Sequence, residues 1–218
     1  MFAGHYGPSF LAKRLAPIVS LWLLFLAVQL LDVAWAIFVF LGVERVRIVP
    51  GFTATNALDL YYMPYTHSLP GALAWAAAAG IAYRLLTGSG QAAVVVGGAV
   101  FSHWPLDLLV HRPDLPLYDN TAKVGLGLWD YPYLTLLIEA ALLFAAMASY
   151  LARSRPITNR ARYAIPAFGL AIVLMQAGML FSPPPSSDRA MAATALLAYA
   201  GLAATIGWLE SGRAPLKL

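Results

Sequence analysis

Apolar residues in this chain come in runs of about 20, the length an α-helix needs to cross the roughly 30 Å hydrocarbon core of a bilayer. Residues 18–41, 69–86, 91–110, 131–151, 164–181 and 190–209 meet that requirement. Between the runs stand residues that end helices: Gly42, Pro50-Gly51, Gly88-Ser89-Gly90, Pro113, Pro116, Pro156 and Pro183-Pro184-Pro185. A soluble domain covers its core with a surface that makes roughly 25% of its residues charged. Here 11% of 218 residues are charged and 61% are hydrophobic. Those proportions exclude a soluble enzyme, a secreted scaffold, a disordered chain and a nucleic-acid module. The reading is an all-α polytopic membrane protein: one integral membrane domain over residues 1–218 with about six transmembrane helices.

The chain has no cysteine, so disulfides, iron–sulfur clusters and thiolate metal sites are excluded. The net charge of +4 fits basic residues gathered in loops on one membrane face rather than a nucleic-acid partner. Of the 14 Lys and Arg, nine fall on one side of the alternating spans and five on the other, with four of the nine between Arg153 and Arg162. The positive-inside bias puts the richer side, with both ends of the helical core, in the cytoplasm. A bacterial inner (plasma) membrane is the expected location. His5, Pro8, Lys13 and Arg14 do not make the pattern of a cleaved signal peptide. Residues 5–15 form either a short half-helix that dips into the protein and turns at Pro17 or an interfacial helix, which composition alone favours.

Polar residues inside spans are costly and face a bundle interior or a cavity, which makes them the informative ones. Asp32 lies in the first span with Gln29 one turn before it; Glu139 lies in the fourth and Gln176 in the fifth, and His67 opens the second. In the third, His103, Asp107 and His111 follow at i, i+4 and i+8, one face of a helix, with Pro105 placed to kink it. Two imidazoles and a carboxylate on one stripe can offer nitrogen and oxygen to one cation, although His111 reads equally well as a loop histidine. At a rise of 1.5 Å per residue, His103 stands roughly 18 Å and Asp107 roughly 24 Å above Gln91, and Asp32 roughly 21 Å above Ile18. With His67 descending from the outer surface, these residues share one layer. The dipping half-helix brings His5 near it. Asp107 or Glu139 is the candidate proton acceptor. Arg112, Ser68 and Trp104 are candidate substrate contacts, and Arg45, Arg47 and Lys123 are candidate phosphate binders on the outer loops.

GHYG near the N-terminus, LLD in the first span, THS before the second and SHWPLD in the third resemble the YdjM-like membrane-bound metal-dependent hydrolases. The resemblance covers roughly residues 1–130, ending at LGLWDYP. It implies His5, Asp32, His67, His103 and Asp107 as metal ligands, and it favours the dipping half-helix. Ala34 stands where the family often has a second Asp, and Met63-Pro64-Tyr65 where it often has HRG. Residues 164–209 carry no matching pattern and read as scaffold.

The expected function is a membrane-embedded metal-dependent hydrolase holding one divalent ion, zinc ahead of manganese or iron. Its substrate is a lipid or amphiphilic ester or phosphoester at the outer interface. A proton- or cation-coupled transporter using the same layer is the alternative, although no inverted repeat is visible. A structural membrane subunit is a third reading.

Overall fold

A computed structural model describes residues 2–216, leaving aside the side chain of Pro215. A 3-10 turn, Ala3–Tyr6, leads into α1, Gly7–Leu15, where Pro8 sits in the first turn and needs no backbone donor. The first long apolar run is not one straight helix. It is α2, Leu21–Val28, and α3, Leu30–Phe40, bent by 57° at Gln29. A hairpin follows, β1, Arg45–Ile48, with β2, Leu58–Tyr62.

Next come α4, Leu69–Thr87, α5, Gly90–Phe101, and α6, His103–Val110. The interruption between α5 and α6 at Ser102 has a local cause. Pro105 has no N–H, and its ring crowds the carbonyl four residues earlier, at Phe101. A second hairpin, β3, Leu115–Tyr118, and β4, Thr121–Val124, precedes α7, Pro132–Leu151. After β5, Ser154–Pro156, come α8, Asn159–Met179, α9, Asp188–Glu210, and β6, Arg213–Pro215, which pairs with β5. Side-chain caps fix several helix starts: Ser68, Ser89, Thr158 and Ser187 each accept a backbone N–H three residues on.

Five helices are long and apolar enough to cross a membrane, six if the bent pair α2–α3 is one span. The fold is all-α and polytopic. Its outer faces are those of a chain whose solvent is lipid: Leu73, Ile81 and Leu85 on α4 are at least half exposed. α4 and α5 pack at close range because Gly80 faces Ala93 and Gly97 faces Ala76, where a Cβ would already touch the opposing carbonyl. α1 packs along α7, and α2 and α3 pack along α9.

The half-helix therefore dips into the bundle rather than lying on its surface. Its first turn meets Glu139, and Arg14 reaches Ser149 near the end of α7. Composition alone does not reveal this, because the buried face is made of His5, Tyr6, Ser9 and Phe10, no more apolar than an interfacial helix.

Candidate metal centre

Three histidines are built into the molecule in the same way. His103 follows the break at Ser102, and its Nδ1–H donates to the Val28 carbonyl at 2.8 Å, at the α2–α3 bend. His67 lies in the loop before α4. The Thr66 hydroxyl donates to Glu44 Oε2 at 2.6 Å, so toward His67 Nδ1, 2.7 Å away, it has only a lone pair to offer, and the imidazole must donate. His111 caps the end of α6, and its Nδ1 stands 2.7 Å from Asp114 Oδ1, a carboxylate that only accepts. Each ring therefore carries a proton on Nδ1, and in its neutral form turns a bare Nε2 inward, the arrangement found where histidine binds metal.

The bare nitrogens converge on two carboxylates. His103 Nε2 is 3.1 Å from Asp107 Oδ2 and 3.4 Å from Asp32 Oδ1. His67 Nε2 is 3.3 Å from Asp32 Oδ1 and 3.6 Å from Asp107 Oδ2. His111 Nε2 is 3.6 Å from Asp107 Oδ2. With the rings neutral, lone pairs face lone pairs at distances that a shared cation relieves. His103 Nε2 is buried with no hydrogen-bond partner, a cost that metal coordination removes. No Lys or Arg is buried among the described residues to offset Asp32 and Glu44. The donor set, imidazole and carboxylate without thiolate, fits a divalent transition metal.

His5 approaches differently. Its ring stacks on His103 with centroids 3.8 Å apart. Its Nε2 faces the His103 carbonyl at 3.2 Å and Asp107 Oδ1 at 3.4 Å. Two groups of side chains are spaced to hold an ion: His5, His103 and Asp107, and Asp32, His67 and His103. They share His103, whose one bare nitrogen can serve one ion.

The sequence-derived candidates fare unequally. Asp32, His67, His103, Asp107 and His5 come together. His111, read evenly as site or loop, joins them. Glu139 is buried, but its Oε2 accepts the amides of Phe2 and Gly4 at 2.9 and 3.0 Å, so it anchors the turn that carries His5, and its Oε1 has no partner. The Ser68 hydroxyl donates to the Pro64 carbonyl and caps α4. Trp104 Nε1 donates to the His67 carbonyl at 2.9 Å and steadies that loop.

Arg112 donates to the Phe52 carbonyl and lies 3.7 Å from Asp130. Arg47 pairs with Asp59, and Lys123 donates to the Tyr61 carbonyl. These cations tie the hairpins together over the layer. Arg45, in β1, is exposed.

Some contributors were not singled out from sequence. Glu44 accepts from the backbone N–H of Tyr65 and Thr66 as well as the Thr66 hydroxyl, and is 1% exposed. Tyr199 on α9 donates to Asp32 Oδ2 at 2.8 Å, and Gln176 on α8, which the sequence does mark as a polar residue inside a span, accepts the Ala3 amide. The last two spans therefore do more than scaffold. A buried Glu beside an apolar run was the one available signal for Glu44. Gly125 also matters: a Cβ there would collide with the carbonyls of His111 and Arg112, so it permits the chain's close return beside His111. No family model matches the chain, and no curated protein or solved structure matches it.

Proposed function

We propose that this chain is a membrane-embedded metal-dependent hydrolase of the YdjM-like type, holding one divalent ion and acting on a lipid or amphiphilic ester or phosphoester. The observation that carries the reading is the set of three imidazoles, each donating outward through Nδ1 and turning a bare Nε2 toward Asp32 and Asp107. His67, His103, His111, Asp32 and Asp107 are the residues that hold the ion, with His5 against them. Zinc is first among metals for a histidine-rich hydrolytic site, ahead of manganese and iron.

A bound divalent ion supplies Lewis-acid activation of water and of the scissile oxygen. The chain's own residues do the rest. Asp107 turns Oδ2 toward the histidine nitrogens and Oδ1 toward His5 Nε2, whose N–H lies between Oδ1 and the His103 carbonyl, so His5 holds in place the carboxylate that takes the proton. His5 is itself held by the turn on Glu139. The Nδ1 bonds keep the three rings from rotating during the reaction. Elemental analysis of detergent-purified protein should find about one zinc, manganese or iron per chain, the stoichiometry of a single shared site. No transition metal, even after zinc reconstitution, would falsify the reading.

The transporter reading has one structural feature in its favour, the bend at Gln29 beside the layer, since interrupted helices often line ion paths. Proton or zinc flux into vesicles carrying the protein, without ester cleavage, favours it.

We further propose an inner-membrane location with the histidine layer in the outer half and the Arg153–Arg162 side cytoplasmic. An impermeant thiol reagent should label Asp119→Cys from outside intact cells and reach Arg155→Cys only after lysis. The opposite pattern reverses the orientation and leaves the site untouched.

A further inference from the structure

Of the three rings that turn outward through Nδ1, two rest on groups that can only accept: the Val28 carbonyl for His103 and the Asp114 carboxylate for His111. His67 rests on the Thr66 hydroxyl. A hydroxyl donates as readily as it accepts, so by itself it leaves the neutral ring free to carry its proton on either nitrogen. The other side of the ring pulls the wrong way for a metal ligand. Asp32 Oδ1 stands 3.3 Å from His67 Nε2, and a carboxylate there favours a proton on that nitrogen.

The hydroxyl is settled by Glu44, 22 residues before Thr66. α3 ends at Phe40, and Gly42, at φ +72°, turns the chain back so that the amides of Val43 and Glu44 both close on the Phe38 carbonyl. This brings Glu44 to the loop before α4. There Oε1 accepts the amides of Tyr65 and Thr66 at 2.8 and 3.0 Å, and Oε2 accepts the Thr66 hydroxyl at 2.6 Å. Glu44 and Thr66 are 1% and 0% exposed, so water does not compete for these bonds. α3 thus supplies both carboxylates that bear on His67: Asp32, from its first turn, at Nε2, and Glu44, from the turn beyond its end, through Thr66 at Nδ1.

We propose that Glu44 is the residue that makes His67 a metal ligand: its accepting oxygens orient the Thr66 hydroxyl, which fixes the neutral ring's proton on Nδ1 and leaves Nε2 to the ion. Glu44 acts through Thr66 and is a positioning residue. The inference rests on the metal-binding part of the hydrolase reading for what Nε2 does, while the place of the proton is separately measurable. Glu44→Gln exchanges one oxygen for an NH2 at nearly equal volume. The two backbone amides keep the side-chain carbonyl where Oε1 stands, because an NH2 there would meet two N–H groups. The NH2 then donates to Thr66 Oγ, and the hydroxyl turns its own proton to His67 Nδ1. The ring's proton moves to Nε2, where Asp32 accepts it, and the nitrogen that faces the ion is blocked.

The test uses the full chain in detergent with isotope-labelled histidine for nitrogen NMR, the His67 signals being identified by their loss in His67→Gln. In zinc-free protein at mildly alkaline pH, with the ring neutral, the proton should sit on Nδ1 in the wild type and on Nε2 in Glu44→Gln. Zinc affinity, read by dye competition, should fall about 100-fold in Glu44→Gln, the upper end of the range for outer partners of ligating histidines. Adding Thr66→Val should reduce that loss to the smaller one of Thr66→Val alone, because without the hydroxyl the amide has no route to the ring. An unchanged tautomer, or a double variant weaker than both singles, overturns the proposal. Should Glu44→Gln fail to fold, the wild type decides: a neutral His67 ring with its proton on Nε2 overturns it as well. A tautomer switch in a chain that binds no zinc sinks the metal reading and leaves the role of Glu44 standing. Zinc bound with equal affinity by wild type and Glu44→Gln does the reverse.

Discussion

Near β5 and β6, Lys13 meets Glu210 at 2.6 Å and also donates to the carbonyls of Pro17 and Val19, while Glu210 accepts the amide of Leu21. In the layer toward the other end, beneath the β1–β4 hairpins, the Nε2 atoms of three histidines converge on Asp32 and Asp107. Both regions set charged groups among apolar helices, partly buried in the first and more deeply in the second. In the first, positive meets negative and every donor has an acceptor, so the groups hold α1, α2 and α9 in place. In the second, imidazoles and carboxylates converge on one point, and the helices there are held by tight packing and by the outward bonds of the histidines. A protein that needed only a polar fastening would use the first pattern twice. The second makes sense as a site waiting for a cation.

The largest expected effect tests that contrast directly. His103→Ala should abolish stoichiometric metal binding, and adding Asp32→Ala to it should change metal content and Tm little further, because residues serving one ion are non-additive. Additive losses of stability with metal still bound would make the layer a set of independent hydrogen bonds. Lys13→Met should do the reverse, lowering stability by about 2 kcal/mol, the scale of hydrogen bonds to a charged group, while metal content stays at the wild-type value. A chelator-sensitive change there would erase the distinction between the two regions.

Thr66→Val removes the acceptor of His67 Nδ1–H without touching the bare Nε2. Metal affinity should fall by about ten-fold, as for other outer bonds to ligating histidines, measured by competition with a zinc dye, and Thr66→Ser should restore it. Unchanged affinity would show that the His67 ring is held by packing against Trp35 and Trp104 alone. Smallest of all should be Arg47→Ala. Its partner Asp59 lies on the hairpin and Arg47 is 64% exposed, so stability should shift by less than about 1 kcal/mol with no change in metal content. A larger change would mean that the hairpins are part of the site's rigidity.

Much of this was open to reading in the sequence. The spans were, because hydropathy is a property of consecutive residues. The stripe of His103, Asp107 and His111 was, because helical spacing fixes which side chains share a face, and even the break that Pro105 introduces leaves the three together. His111 was underrated because α6 ends at Val110, and spacing says little about a residue one step beyond a helix. Glu139 shows the opposite error. A carboxylate near the right depth read as a candidate base, yet its Oε2 is committed to the amides of Phe2 and Gly4, which makes it the anchor of the turn that carries His5.

The sequence by itself determined the class of protein and the chemistry of its donors, since each follows from local composition; the depth of the polar residues was counted along straight helices, which the bend at Gln29 and the break at Ser102 interrupt. Only the tertiary structure decided which histidine nitrogen is bare and which helix closes the site. Val28 is 75 residues from His103, and Tyr199 is 167 from Asp32. Tautomer and convergence depend on what a distant segment places against the ring. That is set by the packing of α1, α2 and α9 and by a 57° bend at Gln29, where the adjoining apolar run gives no local sign of a break.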